Sequence, residues 1–289
     1  MSTLKDKKIL FCGSSELSVG VLDYLKSQNI FPTTIITQPA RPVGRKKVLT
    51  ETIVNNWGVE NNINVLKPEK LGQDILDLIK LEKFDLCLVA SYGKILKQEF
   101  LDIFPEGVWN VHPSSLPLYR GATPLQSQII DGLKEIEVTV IKMDAGMDSG
   151  DILAQEKFNL DWEKKDIVEL EYEAGYLGGE IFYNNFEQGL TLLKKQDHTK
   201  ATFTKILKKE DGDVTREVQD KNLEMIWRKY NAYKNWPGIF FMRGNIRIKI
   251  IEMQKESNTN EIKILKLLPE SKKEISITDF ENSYGSLFQ

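Results

Sequence analysis

The stretch Lys8-Ile9-Leu10-Phe11-Cys12-Gly13-Ser14-Ser15-Glu16-Leu17-Ser18-Val19-Gly20-Val21-Leu22-Asp23-Tyr24-Leu25 decides the fold class. Its apolar run ends at Gly13, which predicts a strand and a tight turn. Ser14 or Ser15 then suits the N-cap of a helix on which Leu17, Val21 and Leu25 share one face. A second apolar run, Thr33 to Thr37, completes a strand–helix–strand unit, and such units build parallel sheets. The turn Gly13-Ser14-Ser15-Glu16 lacks the G-x-G-x-x-G spacing that lets backbone approach a pyrophosphate, so a dinucleotide cofactor is not expected.

Outward from there the alternation continues. Helical patterns over Thr52 to Val59 and Ile75 to Leu81 alternate with short apolar runs at Ile63 to Leu66 and Asp85 to Ala90. The last of these is nearly unbroken apolar, as a strand covered on both faces should be. Pro39 to Lys47 holds two prolines and a glycine among its basic residues, and it is expected to be an irregular loop on the side where parallel strands end. Pro124 to Gly132 reads as a helix, Ile152 to Phe158 as an edge strand, and Asp166 to Gly189 as a long helix with a weak point at Gly175 to Gly179.

The densest chemistry lies between Val108 and Asp151. Asn110 and His112 are two apart after an apolar approach, so on a strand their side chains share one face. Pro113 ends that strand and leaves both groups near its carboxyl end, where open α/β sheets place their sites. Ile136 to Met143 reads as the next strand, and the Gly-rich turn after it brings back the carboxylate of Asp148.

The run Asn110-Val111-His112-Pro113-Ser114-Ser115-Leu116-Pro117-Leu118-Tyr119-Arg120-Gly121-Ala122, followed by Met143-Asp144-Ala145-Gly146-Met147-Asp148-Ser149-Gly150-Asp151, resembles the folate-dependent formyltransferases. Thr37 to Pro42, Lys209 to Gly212 and Asn235 to Gly238 echo the members that act on charged tRNA, so the resemblance covers nearly the whole chain. It implies transfer of a formyl group from 10-formyltetrahydrofolate to the amine of methionine on initiator tRNA, with Asn110, His112 and Asp148 matching the catalytic trio. It also implies a folate pocket walled by Tyr92, Ile95, Leu96, Ser114, Ser115, Leu116 and Pro117. Ser115 stands where the family commonly has Leu. Arg41, Arg45, Lys46 and Lys47 fall in the loop that meets the tRNA acceptor arm. No metal is expected, because two histidines without Cys or carboxylate at ligand spacing make a poor zinc site.

At 289 residues, 41% hydrophobic and 28% charged, the chain has room for one large domain and a small one. The net charge of −3 argues against wholesale nonspecific nucleic-acid binding, although the last ninety or so residues are net positive. Cys12 and Cys87 each sit in an apolar run, as buried reduced thiols would. Met1 leads directly into a strand, without a signal-peptide pattern or a membrane-length run, so a cytoplasmic protein is expected, acting as a monomer.

The second half of the chain reads differently. Thr191 to Lys209 is polar and Lys-rich and is expected to link a catalytic domain, residues 1–190, to a C-terminal one, residues 210–289. Asn222 to Tyr233 predicts a helix, and Ile239 to Met242, Ile246 to Met253, Ile262 to Leu268 and Ile275 to Ile277 predict strands. The expected fold is α/β: a Rossmann-like, mostly parallel sheet, then a small OB-like β-barrel that binds tRNA. Gln254 to Glu261 joins two strands directly, which makes it a reduced barrel.

Formyl transfer is acyl transfer, so an oxyanion needs donors and a proton must be moved near neutrality. Asn110 offers the amide N–H. His112 would polarise the formyl oxygen or relay the proton, its charged form favoured by Asp148; His198 lies in the polar linker. The same trio could serve an amino-sugar nucleotide as acceptor, or direct water at 10-formyltetrahydrofolate. The basic loop and the second domain favour tRNA.

Overall fold

The computed structural model describes residues 3–43, 47–189, 192–256 and 258–288. The chain divides into two compact units: residues 1–124, 135–160 and 168–204 form the first, and 125–134, 161–167 and 205–289 the second.

The first unit is built on β1 (Ile9–Gly13), α1 (Glu16–Ser27), β2 (Thr34–Ile36), β3 (Arg41–Val43), β4 (Val48–Thr50), α2 (Ile53–Glu60), β5 (Asn64–Leu66), α3 (Gln73–Glu82), β6 (Leu86–Ala90), α4 (Gln98–Leu101) and β7 (Val108–His112). Helix α5 (Pro124–Ile130) follows in the chain but belongs, from Leu125 on, to the second unit; β8 (Glu135–Lys142), β9 (Ile152–Asn159) and α6 (Ile167–Glu187) then complete the first. Seven strands form one sheet in the order β5-β2-β1-β6-β7-β8-β9. Pairing is parallel from β5 through β7 and antiparallel where β8 and β9 are added. The mostly parallel sheet follows from the apolar runs at β1, β6 and β7, whose residues are all buried, as strands with two covered faces must be. Cys12 and Cys87 are free and buried on neighbouring strands, with Sγ atoms 3.8 Å apart.

Two expectations change here. Arg41–Val43 is not irregular: it pairs antiparallel with Val48–Thr50 as a short hairpin. Pro42 is tolerated because a two-stranded ribbon consists only of edges, where a missing N–H need not break a ladder. Helix α6 runs unbroken through Gly175 to Gly179. Those glycines are contact points, since a Cβ on Gly175 would strike the Leu17 carbonyl and one on Gly178 the side chain of Val111; Gly20 of α1 answers them, its Cβ being barred by the Tyr172 carbonyl. The absence of side chains lets α6 press against α1 and β7, which offsets the roughly 1 kcal/mol that glycine costs in a helix.

The second unit carries α7 (Thr215–Gln219), α8 (Leu223–Tyr233), β10 (Ile239–Arg243), β11 (Ile246–Lys255), β12 (Ile262–Pro269), β13 (Ile275–Ser276) and α9 (Ile277–Tyr284). Its four strands form an antiparallel meander in chain order. This is the small β domain, open among the described residues, which form no further hairpin between β11 and β12. Asn222 caps α8 by accepting from Met225 N at 3.1 Å. Phe280 of α9 is buried and meets Phe241 of β10 edge-on, with ring centroids 6.1 Å apart. No helix of the described residues is long and apolar enough to cross a membrane.

Candidate active site

Strands β1, β2, β6 and β7 end on the same side of the sheet, and short side chains lace their loops together. Ser18 Oγ accepts from Ser14 N at 2.9 Å and donates to Ala90 O at 2.6 Å, tying the first turn to the end of β6. Gln38 Nε2 donates to Tyr92 O at 2.8 Å. Lys94 Nζ donates to the Pro68 and Glu69 carbonyls at 2.6 and 2.8 Å. Burial lowers the Lys94 pKa; Glu69 opposes this, and the positive charge of Arg41 adds to it, so Arg41 of the hairpin lies within electrostatic reach of this loop.

The structure brings Asn110, His112 and Asp148 together. Asn110 and His112 leave β7 on one face, while Val111 between them points to α6. Asn110 Nδ2 lies 3.4 Å from Asp148 Oδ1, and His112 Nδ1 lies 3.7 Å from Asp148 Oδ2. The other imidazole nitrogen, Nε2, is 2.9 Å from Tyr119 O. A carbonyl can only accept, so Nε2 carries a proton and Nδ1 is the nitrogen left for proton traffic. Gly121 N donates to Asp148 Oδ2 at 2.7 Å. The separation of Nδ1 from Asp148 exceeds a hydrogen bond but is short enough for strong attraction once Nδ1 is protonated.

The expected folate residues fall into two groups. Tyr92 and Leu96 are buried in the apolar cluster beneath the loop after β6, with Val89 and Phe100, and that burial pushes the Tyr92 phenol well above its ordinary pKa; Ile95 between them is 89% exposed. Their side chains are thus core, and the loop presents Ile95 and backbone. Ser114 Oγ donates to Leu118 O at 2.7 Å, and Leu116 packs on Ile141 and Ile152. Ser115 Oγ accepts from Glu137 N at 3.1 Å, a bond to the start of β8 that a Leu could not make. Pro117 is half-buried.

Among the expected tRNA residues, Arg41 and Lys47 are exposed, and Arg45 and Lys46 lie outside the described residues. Among the described residues, no three His, Cys, Asp or Glu side chains gather as a metal site requires.

Arg120, Gln196 and His198, the last expected only in a polar linker, also belong to this corner. Arg120 is buried and donates to Gln196 Oε1, and His198 Nδ1 lies 2.9 Å from its NH2 group. Residues 192–204, within the stretch expected to link two domains, lie against the first unit. Lys194 pairs with Ile152 through two 2.8 Å backbone bonds, extending the sheet edge, and Phe203 bridges to Arg120. Their polar composition hid this, because backbone and polar side chains rather than an apolar face do the holding. The one available signal was the cluster of bond-forming side chains from Gln196 to Thr204.

Comparison with known proteins gives this geometry a context. Residues 7–182 match the formyl transferase family. The methionyl-tRNA formyltransferase of Caldicellulosiruptor saccharolyticus is 34% identical over 250 residues, which is 85% of this chain and 79% of that protein. The methionyl-tRNA formyltransferase of Campylobacter lari is 36% identical over 264 residues, 89% of this chain and 84% of that protein. Among solved structures, methionyl-tRNA formyltransferase from Clostridium thermocellum superposes with a TM-score of 0.62 at 18% identity, covering 93% of this chain and 98% of that one. HypX from Aquifex aeolicus in complex with tetrahydrofolic acid gives 0.64 at 15% identity, covering 97% and 48%. At those identities the two structures speak for the fold.

Proposed function

The chain belongs to the formyl transferase family, and on that footing we propose that it transfers the formyl group of 10-formyltetrahydrofolate to the α-amino group of methionyl initiator tRNA. The observation that carries the reading is the meeting of an amide, an imidazole and a carboxylate at the end of β7, in a chain whose relatives are named for this reaction.

The donor supplies an activated formyl carbon and a nitrogen that can leave. As the amine of the methionyl group forms its bond to that carbon, negative charge gathers on the formyl oxygen. Asn110 has one amide N–H directed at Asp148 and a second to offer that oxygen. His112 Nδ1 takes the proton that the amine must lose, and the imidazolium so formed is held by Asp148 across 3.7 Å. The same proton then goes to the leaving nitrogen as the old bond breaks, so His112 ends as it began. Tyr119 O and the Gly121 N–H keep the ring and the carboxylate in place throughout.

The folate lies against the loop after β6, on Ile95 and the backbone about Tyr92 and Leu96, and Ser114 to Pro117 supply further wall. Arg41 and Lys47 of the hairpin meet the acceptor arm, and Arg45 and Lys46, outside the described residues, act with them, the arginines giving two-pronged phosphate or base contacts and the lysines general attraction. The C-terminal unit takes the body of the tRNA. The same reading has the protein act in the cytoplasm, as a monomer.

The test is a competition among acceptors. With labelled 10-formyltetrahydrofolate, label should enter methionyl initiator tRNA and not a nucleotide-linked amino sugar, with only slow release as formate. Faster transfer to the sugar, or formate as the main product whatever tRNA is added, would overturn the reading.

A further inference from the structure

Two of the contacts that orient the acid–base pair come from one short loop. Tyr119 supplies the carbonyl that receives the His112 Nε2 proton, and Gly121 supplies the N–H that Asp148 receives. Arg120 lies between them, with only 4% of its surface exposed. Its Nε and NH2 donate to Gln196 Oε1 at 3.2 and 2.6 Å. The opposite end of that amide is spent on the second loop: Gln196 Nε2 donates to Asp148 O at 2.8 Å and to Gly150 O at 2.7 Å. A single glutamine, 6% exposed, thus spans the loop that orients His112 and the loop that carries Asp148.

Asp148 needs such a hold. Its φ of 47° lies in the left-handed region that residues with side chains seldom occupy, and such conformations persist where the surroundings fix them. The Tyr119 loop, by contrast, has independent anchors. Tyr119 N donates to Thr202 Oγ1 at 2.8 Å, Arg120 N to Thr202 O at 2.9 Å, and Thr204 N to Arg120 O at 2.7 Å. Loss of Gln196 should therefore leave the His112 side of the site standing and free only the Asp148 side.

We propose that Gln196, backed by Arg120, is a positioning residue that sets the Asp148 carboxylate against His112 Nδ1. The proposal rests on the formyl-transfer reading of the same site. Gln196 touches no reacting atom; it acts by holding the Asp148 and Gly150 carbonyls, and Arg120 fixes which way its amide points.

Two substitutions in the full chain test this. Gln196→Ala removes the bridge. Gln196→Glu keeps the size and the oxygen that Arg120 needs but deletes both N–H groups aimed at the carbonyls. Each should lower kcat for formylation of methionyl initiator tRNA on the order of 10²-fold, the scale of a displaced catalytic group, with the KM for tRNA and the Kd for tetrahydrofolate within about twofold. Adding His112→Ala to either variant should cost far less than it does in the natural protein, because both changes disable one unit. A kcat within threefold of the natural protein would overturn the proposal, as would additive losses, or a loss matched by equal falls in tetrahydrofolate affinity and melting temperature. The imidazole ¹⁵N resonances of His112 read the positioning without turnover and should move in Gln196→Ala. Resonances that stay put sink the positioning role, whereas a natural protein that transfers no formyl group sinks the functional reading.

Discussion

The corner around His112 and the hairpin at Arg41–Thr50 are both built from residues near the ends of parallel strands, yet they are held in opposite ways. At the corner nearly every polar group is spent on another loop: His112 on Tyr119, Asp148 on Gly121, Gln196 on Asp148 and Gly150, Thr139 on Ser114 at 2.6 Å. On the hairpin, Arg41, Pro42 and Lys47 to Thr50 are exposed, Leu49 to 69%, and the pairing of its strands is with each other. On the proposed reading, the contrast divides the labour. Moving a proton needs groups fixed within fractions of an ångström, so the corner is preorganised. Gripping a large polyanion needs reach and charge, which an exposed basic ribbon supplies at little cost to the fold.

If that division holds, changes at the corner should strike turnover and changes on the hairpin should strike acceptor binding. The largest effect is expected for His112→Ala and for Asp148→Ala, each lowering kcat by about 10²- to 10⁴-fold, the usual worth of a general acid–base group. Circular dichroism should remain that of the natural protein. Near-natural turnover in either would break the comparison at its stronger end.

Gly121→Ala comes next. Gly121 has φ 109°, and a Cβ there would lie 2.9 Å from the Thr204 carbonyl, so the loop must shift. Strain of about 1 to 3 kcal/mol is expected, read as a lower melting temperature, with lost turnover as the N–H leaves Asp148. An alanine variant of full stability and activity would mean the corner is looser than its hydrogen bonds imply.

On the hairpin, Arg41→Ala should reduce kcat/KM for methionyl initiator tRNA about tenfold, as loss of a charge-assisted contact would. The slow release of formate from 10-formyltetrahydrofolate should be unchanged, because water needs no grip. Kinetics on both reactions decide it: equal losses would show that Arg41 shapes the folate pocket instead.

The smallest effect belongs to a surface charge cluster in the C-terminal unit. Glu163 is raised by burial but more strongly lowered by hydrogen bonds from Lys134 and Lys255, which bring its pKa from 4.5 to about 2. A carboxyl with a depressed pKa stabilises the fold fully above its ordinary value, and that stability is lost as pH falls from about 4.5 towards 2. Solvent screens so exposed a cluster, so Glu163→Gln should lower the melting temperature only slightly at pH 7 and flatten its fall below pH 4.5. Melting curves at several pH values check it; a variant with the natural acid slope would contradict the assignment.

How much of this was legible depended on which force does the holding. Where apolar burial decides, periodicity spoke: β1, β6, β7 and α1 lie where their leucines, valines and isoleucines imply. The three-residue strands β3 and β4 carry too few residues for any period, and Pro42 pointed away from a ladder. Helix α9 was missed although Ser276 and Asp279 form a recognisable start, with Ser276 Oγ accepting from Asp279 N at 3.1 Å. In the site, Asn110, His112 and Asp148 could be named because strand alternation and a Gly-rich turn aim them. Gln196 could not, since its role depends on two loops that meet only in the folded chain.

The most direct test of the whole account is a single-turnover measurement with the full chain, labelled 10-formyltetrahydrofolate and methionyl initiator tRNA, run beside His112→Ala. The expected result is label in formylmethionine released from the tRNA, at a rate that falls at least 10²-fold in the variant. Label found only in formate, or formylation by His112→Ala within tenfold of the natural protein, would contradict it.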